Sequence, residues 1–310
     1  MTTTQLQSIL ARAAKPQAAP DRILLVGTEG VGKSTFAADA PSPLFISAED
    51  GIAQITPRPM AIEPKNIGEV FGVLHELAQG GHAYKTVVID TIDWLEPIIM
   101  RAVCESNGWQ SLEDPGYGKG YTPFVEEWRK ILVALDQCRR AGLEVILLAH
   151  SKIGTFANPN GPDYSRYELG MHKRSADLVK QWADSVLFAT YEERVVLAKS
   201  RGEDVLKKGK AIATGRRVIH TLRNSAWDAK TRHQIPDVIE LSYAEYVSHR
   251  GAHGATEEQK TELGALLEAL NDSALTAKVT AYVGDMTDAT VVAKAINNLQ
   301  FKLQEKESSQ

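Results

Sequence analysis

The stretch Gly27-Thr28-Glu29-Gly30-Val31-Gly32-Lys33-Ser34-Thr35 carries the spacing G-x-x-x-x-G-K-[ST]. An apolar run, "ILLV", precedes it and a helical pattern follows, which is the setting such a loop needs in order to hold phosphate. Glycines let backbone N–H groups curl around a β-phosphate without Cβ clashes, and the following helix points its N-terminal partial positive charge at the same anion. In this reading Lys33 reaches the β- and γ-phosphate oxygens of ATP and the Ser34 hydroxyl ligates Mg²⁺. Gly27, Thr28, Glu29, Gly30, Val31, Gly32 and Thr35 complete the nucleotide cradle. A second metal ligand is expected where a buried strand ends, and "TVVID" supplies it at Asp90.

Hydrolysis also needs a group that orients water. No [NT]-K-x-D guanine-reading motif occurs, and Thr91, not Glu, follows Asp90, unlike typical AAA+ enzymes. The octapeptide "LFISAEDG" (44–51) fills this gap, because an apolar run there ends in Glu49 and Asp50. It reads as the next strand after the P-loop helix, parallel to the P-loop strand and beside it, with its C-terminal end at the phosphate edge. Glu49 is the candidate base, with Asp50 as the alternative.

These groups must be positioned by regular elements. Strand-like runs fall at 23–26, 44–47, 86–90, 144–149, 185–190 and 217–222, and the early ones are continuously apolar, as in strands buried on both faces of a parallel sheet. Helical patterns at 33–40, 66–79, 93–106 and 123–140 alternate with them, which argues a doubly wound α/β core. Asp93 and Glu96 form a D-x-x-E start that would cap the third of these helices. Two stretches rich in Gly, Pro, Asn and Tyr, 108–124 and 151–172, read as long loops. A hairpin-like pattern follows residue 185 and contains the basic run "KKGKAIATGRR" at 207–217. The expected organisation is a loosely ordered arm over 1–20, a core over 21–250, and a small helical C-terminal domain over 255–310 after a "HRGAHGAT" linker.

Composition agrees with an ordinary core: 310 residues, 43% of them hydrophobic, and a net charge of −4, so nucleic-acid binding must come from local patches. Cys104 and Cys138 lack metal-binding or redox spacing and read as reduced structural thiols. Neither an N-terminal apolar region nor an eighteen-residue apolar run occurs, so the expectation is a chain that is neither exported nor membrane-spanning.

On the P-loop, the acidic "AE" turn and the strand "VILLAHSKIG", the chain resembles the RecA-like ATPases. The resemblance implies a mainly parallel twisted sheet between helices, with Glu49 as the catalytic glutamate. It implies that His150 occupies the γ-phosphate sensor position, where the family usually carries Gln. The ordered set "YGKGY" (117–121), "AHSK" (149–152) and "AKTRHQIPDVIEL" (229–241) is similar to phage-encoded members classed as single-strand annealing or recombination ATPases, over roughly residues 20–245. It implies further that Lys230 and Arg232, a K-x-R pair, enter a neighbouring subunit's ATP site, so that the chain assembles with itself as a ring or filament. The two long loops correspond in order to the family's DNA-facing loops. They and the residues just beyond carry Tyr117, Lys119, Tyr121, Lys152, Phe156, Arg166, Tyr167, Lys173 and Arg174, and aromatics interleaved with cations suit single-stranded DNA. Local packing of the tyrosines and a solvated hairpin at 207–217 are the structural alternatives. A single-strand-binding protein is a further expected partner, and the cytoplasm of an infected bacterium the expected location. Rival readings are a helicase or helicase loader with the same core, a nucleotide-gated protein scaffold without DNA binding, and a small-molecule kinase.

Overall fold

The computed structural model describes residues 19–48, 52–56, 58–197, 209–250 and 257–283, together with 292, 295–296, 298–300 and 302–303. Strands form where apolar residues run without interruption. β1 (Arg22–Gly27), β2 (Pro43–Ser47), β4 (Thr86–Asp90) and the first half of β5 (Glu144–Phe156) are buried almost throughout. With β3 (Met60–Ile62), β6 (Tyr164–Leu169), β7 (Ser185–Leu197), β8 (Gly209–His220) and β9 (Val238–Glu240) they make a nine-stranded sheet. Its order is β3-β2-β4-β5-β1-β7-β8-β9, with β6 paired to β5 off this path. The pairs from β3 through to β7 are parallel, whereas β5–β6, β7–β8 and β8–β9 are antiparallel.

Helices cover both faces. α2 (Ile67–Gln79), α3 (Ile92–Asn107), α4 (Tyr121–Arg140) and α5 (Lys173–Trp182) pack their apolar stripes on one face, where Leu74, Ile99, Trp128 and Val179 are fully buried. α1 (Lys33–Ala38) and α6 (Tyr243–His249) close the other, with Phe36 edge-on to Tyr243 and Tyr246. Each fully buried aliphatic side chain contributes about 1.5–3 kcal/mol, so the two apolar layers outweigh the isolated polar residues they enclose.

Three expectations are corrected. First, β2 is not beside β1, because β4 and β5 lie between them. Continuous apolar runs are interchangeable as sheet interior, so sequence adjacency says little about which strands pair. Second, the 151–172 stretch is not a loop: β5 runs on past the sheet edge and turns back as β6, pairing Ser151 with Leu169 through to Phe156 with Tyr164. Apolar and polar residues do not alternate cleanly there, since Ile153 is exposed and Arg166 buried, so the ribbon lacks the period-two signal that marks a half-buried strand in sequence. Third, the D-x-x-E acids do not cap α3. Thr91 is its N-cap without a side-chain cap bond, and both acids face other elements. The start of α4 at Tyr121 also brings the end of the first presumed loop into a helix.

The chain divides into two compact units, Pro20–Gly251 and the combination of Met1–Ala19 with Ala252–Gln310. In the second, Leu263 of α7 (Glu257–Leu270) joins Val292, Ala295, Ile296 and Leu299 in an apolar cluster, with Leu275 and Val279 of α8 (Ser273–Val283) packed against it. No described helix is long and apolar enough to cross a membrane.

Candidate nucleotide site

The chain leaves β1 toward β2 on one side and later places β7 on the other, so the carboxyl ends of β1 and its neighbours border a crevice of the kind that receives ligands in open α/β sheets. Gly27 ends β1, opposite His150 of β5 and Ala189 of β7. A Cβ at Gly27 would lie 2.5 Å from the Ala189 carbonyl oxygen, so glycine is needed for the strands to approach. Gly30 and Gly32 adopt φ of 68° and 109°, left-handed values that side chains resist, and they turn the loop around its own N–H groups. Val31, fully buried, anchors the loop in the core.

Lys33 opens α1 and is 5% exposed, with Nζ donating to the carbonyls of Gly27 at 3.2 Å and Thr28 at 3.0 Å. A buried ammonium is costly unless it meets negative charge, and these carbonyls hold it at the loop where phosphate oxygens would replace them. A cleft of about 480 Å³ opens in front of it, lined by Ser34, Thr35, Asp90, Thr91 and His150 along with the glycines and the 52–56 segment. Asp90 ends β4 at 5% exposure beside Ser47 of β2, and the Ala48 N–H donates to the Asp90 carbonyl at 2.9 Å. The buried Thr91 hydroxyl has no hydrogen-bond partner among the described residues. A glycine cradle, a buried lysine, a carboxylate beside a hydroxyl and an unpartnered buried hydroxyl fit a nucleotide phosphate with Mg²⁺. Ser34 and Asp90 are the residues that would hold the metal.

At the rim, His150 donates its backbone N–H to Asp93 Oδ1, and its Nδ1 lies 2.9 Å from Oδ2. Burial pushes Asp93 upward, but the hydrogen bonds from His150 outweigh it and hold the carboxyl below its usual range. One turn further along α3, Glu96 accepts from the His172 N–H and the Ser175 hydroxyl at the start of α5. Burial raises Glu96, those hydrogen bonds offsetting only part of it. Sequence reasoning took both acids for a capping box, and only their three-dimensional partners distinguish them from one. Two more contacts escaped it. The Tyr191 hydroxyl donates to the Gly30 carbonyl at 3.0 Å, and Arg217 Nη1 donates to Val31 O at 3.4 Å, so the β7–β8 hairpin rests on the P-loop. Arg217 closes the basic run, but the clustering of charge alone could not separate it from its solvated neighbours.

Glu49, Asp50, Lys207 and Lys208 lie outside the described residues. Lys230 and Arg232 are not brought to this P-loop. Lys230 bridges Val186 near the start of β7, and Arg232 Nε lies 3.5 Å from Asp184, both toward the opposite edge of the sheet.

Among the residues assigned to DNA, Tyr117 is fully exposed and Lys119, Lys173 and Arg174 are exposed. Lys152 is exposed along its stem, with Nζ donating to Met171 O. Phe156 stacks under the Arg166 guanidinium and against Tyr164. Three others are spent on packing. Arg166 is 5% exposed and paired with Asp228, Tyr121 stacks on His172 at 4.3 Å, and Tyr167 packs on Phe188.

A family profile described as an AAA domain matches residues 19–233 of the 310. No curated protein matches the chain. The matched span runs from the start of β1 past β8, taking in the P-loop, Asp90, Asp93 and His150. The family carries the AAA description although Thr91 stands where typical AAA+ enzymes have Glu. On the phosphate cradle and the extent of this match, the chain belongs to the AAA domain family and carries a P-loop NTPase-type domain.

Proposed function

We propose that the protein is a RecA-like ATPase that assembles with copies of itself, binds single-stranded DNA, and serves phage recombination or annealing in the bacterial cytoplasm. One observation carries this reading: β5, which bears His150 at the phosphate cleft midway along its length, continues without a break into the β5–β6 ribbon with its exposed Lys152 and its Phe156–Tyr164 tip. A strand shared between nucleotide and ribbon is a direct mechanical route from phosphate to bound strand.

In the proposed reaction the P-loop N–H groups and Lys33 hold the β- and γ-phosphates and stabilise charge that grows during in-line attack. Ser34 and Asp90 would hold Mg²⁺, which when bound would supply neutralisation of charge on the phosphate oxygens. Glu49 takes the proton of the attacking water. This assignment is supported by its flanks, since Ala48 is bonded to Asp90 and Ile52 lines the cleft. His150 faces the γ-phosphate end. Lys230 and Arg232, distant from their own P-loop, suit a role in a neighbour's site, where such a cation is worth about 10³–10⁵ in rate. Tyr117, Lys119, Lys173 and Arg174 provide exposed rings and charges for bases and phosphates. A single-strand-binding protein is a natural co-occupant of the same strand.

ATP turnover with and without single-stranded DNA, in wild type and Glu49→Gln, tests the reading. DNA stimulation is expected, with turnover lost and nucleotide binding kept in the variant. Oligonucleotide binding at two salt concentrations should weaken steeply with salt. Absence of binding at low salt removes DNA and leaves the nucleotide-gated scaffold.

A further inference from the structure

We infer that Tyr191 of β7 and Arg217 of β8 are positioning residues for phosphate binding: each holds one P-loop carbonyl from outside the cleft and so aims the adjoining N–H at the anion. The inference rests on the nucleotide reading of this loop.

The two side chains form a cross-strand pair. Tyr191 and Arg217 are register partners in the antiparallel β7–β8 ladder, so both leave it on the same face. β7 runs beside β1 as far as Gly27, opposite Ala189, which brings the pair level with the loop that follows β1. From there the Tyr191 hydroxyl donates to the Gly30 carbonyl at 3.0 Å, and Arg217 Nη1 donates to the Val31 carbonyl over a longer 3.4 Å. A Cβ at Gly32 would lie 2.7 Å from Arg217 Nη1, so the guanidinium packs against a face of the loop that glycine leaves open. Arg216, one residue earlier, lies 3.6 Å from Glu192, whereas no carboxylate among the described residues pairs with Arg217.

The consequence follows from the planar peptide. Both peptides here are trans, and in a trans peptide the C=O and the next residue's N–H point in opposite directions. A hydroxyl on Gly30 O therefore turns the Val31 N–H away from the hairpin, and a guanidinium on Val31 O does the same for the Gly32 N–H. Gly30 and Gly32 line the phosphate cleft, while Tyr191 and Arg217 are not among its lining residues, so both N–H groups are turned toward the side where the anion would lie. Glycine supplies no side chain to resist rotation of these planes, and at φ of 68° and 109° Gly30 and Gly32 can leave their conformations at little cost. A nest of N–H groups binds an anion only while they converge. The pair preorganises two donors for phosphate oxygens and has no part in reading the base.

The test uses the full chain and two probes, ATP and inorganic tripolyphosphate, which share the phosphates and differ in base and ribose. Tyr191→Phe removes one hydroxyl and no charge. Affinity for both probes should fall by the same factor, about 2- to 10-fold, the worth of one hydrogen bond, with the unfolding midpoint unchanged. Adding Arg217→Met should deepen the loss for both alike. The contact itself is read without ligand in chain labelled with ¹³C-carbonyl glycine and ¹⁵N-valine, where only the Gly30–Val31 and Gly72–Val73 peptides carry both labels. The Gly30 carbonyl signal, assigned by its loss in Val31→Ile, should shift in Tyr191→Phe while that of Gly72 stays in place. A loss of ATP affinity with tripolyphosphate binding unchanged puts the pair on the base or ribose and overturns the inference. Unchanged affinity for both probes, or a Gly30 carbonyl that does not move, overturns it as well. A wild type that binds neither probe overturns the nucleotide reading instead, and the carbonyl signal still scores the hold on the loop.

Discussion

The two edges of the central sheet are built from similar residues and put them to opposite uses. At the carboxyl edge, Lys33, Asp90, Thr91 and His150 line an open cleft, and the Thr91 hydroxyl has no hydrogen-bond partner among the described residues. At the amino edge, charge is saturated. Arg250 pairs with Glu144 and Asp21, Tyr243 donates to Glu144 at 2.5 Å, and His233 Nε2 lies 2.8 Å from Asp21. Arg22 lies beside Asp184 and Asp136, and Arg139 and Arg232 also approach Asp184. Burial and the neighbouring Glu144 push the Tyr243 hydroxyl far above its usual range, and the carboxylates raise Arg250 despite its burial. The lesson is that charge at one edge ties elements of the fold together, while charged side chains at the other line an open cleft.

The contrast can be broken most directly by Arg250→Met. It leaves Glu144 buried without its cation and removes one of the groups that hold Asp21, so stability should drop by about 3–5 kcal/mol in urea unfolding. Turnover per folded molecule should be preserved. Lys33→Ala should do the reverse: turnover falls about 10²–10³-fold with the unfolding midpoint near wild type. If Lys33→Ala instead unfolds the chain, the two edges are not distinct.

Asp184 sharpens the comparison through pH. Its burial would raise its pKa, but the hydrogen bonds and charge of Arg22 outweigh this and lower it in the fold. A lowered folded pKa contributes stability above the unfolded value, about 3.9, and that contribution is lost as pH falls through the folded value. Asp184→Asn should therefore cost about 1.5–3 kcal/mol near neutrality, the worth of hydrogen bonds to a charged group, and should flatten the acid limb of stability. Unfolding followed from pH 7 to 3 reads both. The smallest effect is expected from Thr91→Val, which removes an unpartnered hydroxyl at near-constant volume. Stability should stay within about 1 kcal/mol of wild type, since no bond within the protein is lost. Turnover or nucleotide affinity should change measurably if the hydroxyl meets the ligand.

Much of this was legible locally. The spacing around Gly27 to Ser34 and the apolar run ending in Asp90 are signals written within a few residues. Cys104 and Cys138 are buried and unbridged, and burial pushes the Cys138 thiol up to about 11, in keeping with structural thiols. Asp93 and Glu96 were misread because a D-x-x-E pair before an apolar run has the same spacing whether it caps its own helix or reaches a strand far along the chain. Arg166 and Tyr167 were assigned to DNA on the resemblance of their stretch to the family's DNA-facing loops and on its aromatics and cations; in the fold Arg166 pairs with Asp228 and Tyr167 packs on Phe188, because β6 lies against the segment around Ala226 and Asp228.

What the order of residues determined was the phosphate loop, the carboxylate that ends the β4 strand and the most strongly periodic helices and strands, because glycine conformations and side-chain periodicity act over one or two turns of chain. The sheet order was decided elsewhere. β4 and β5 separate β2 from β1, and through that order Asp93 meets His150 while Lys230 is carried to the far edge. Those outcomes depend on which apolar faces fit together across long separations, a property of the packed molecule that no short stretch of sequence contains.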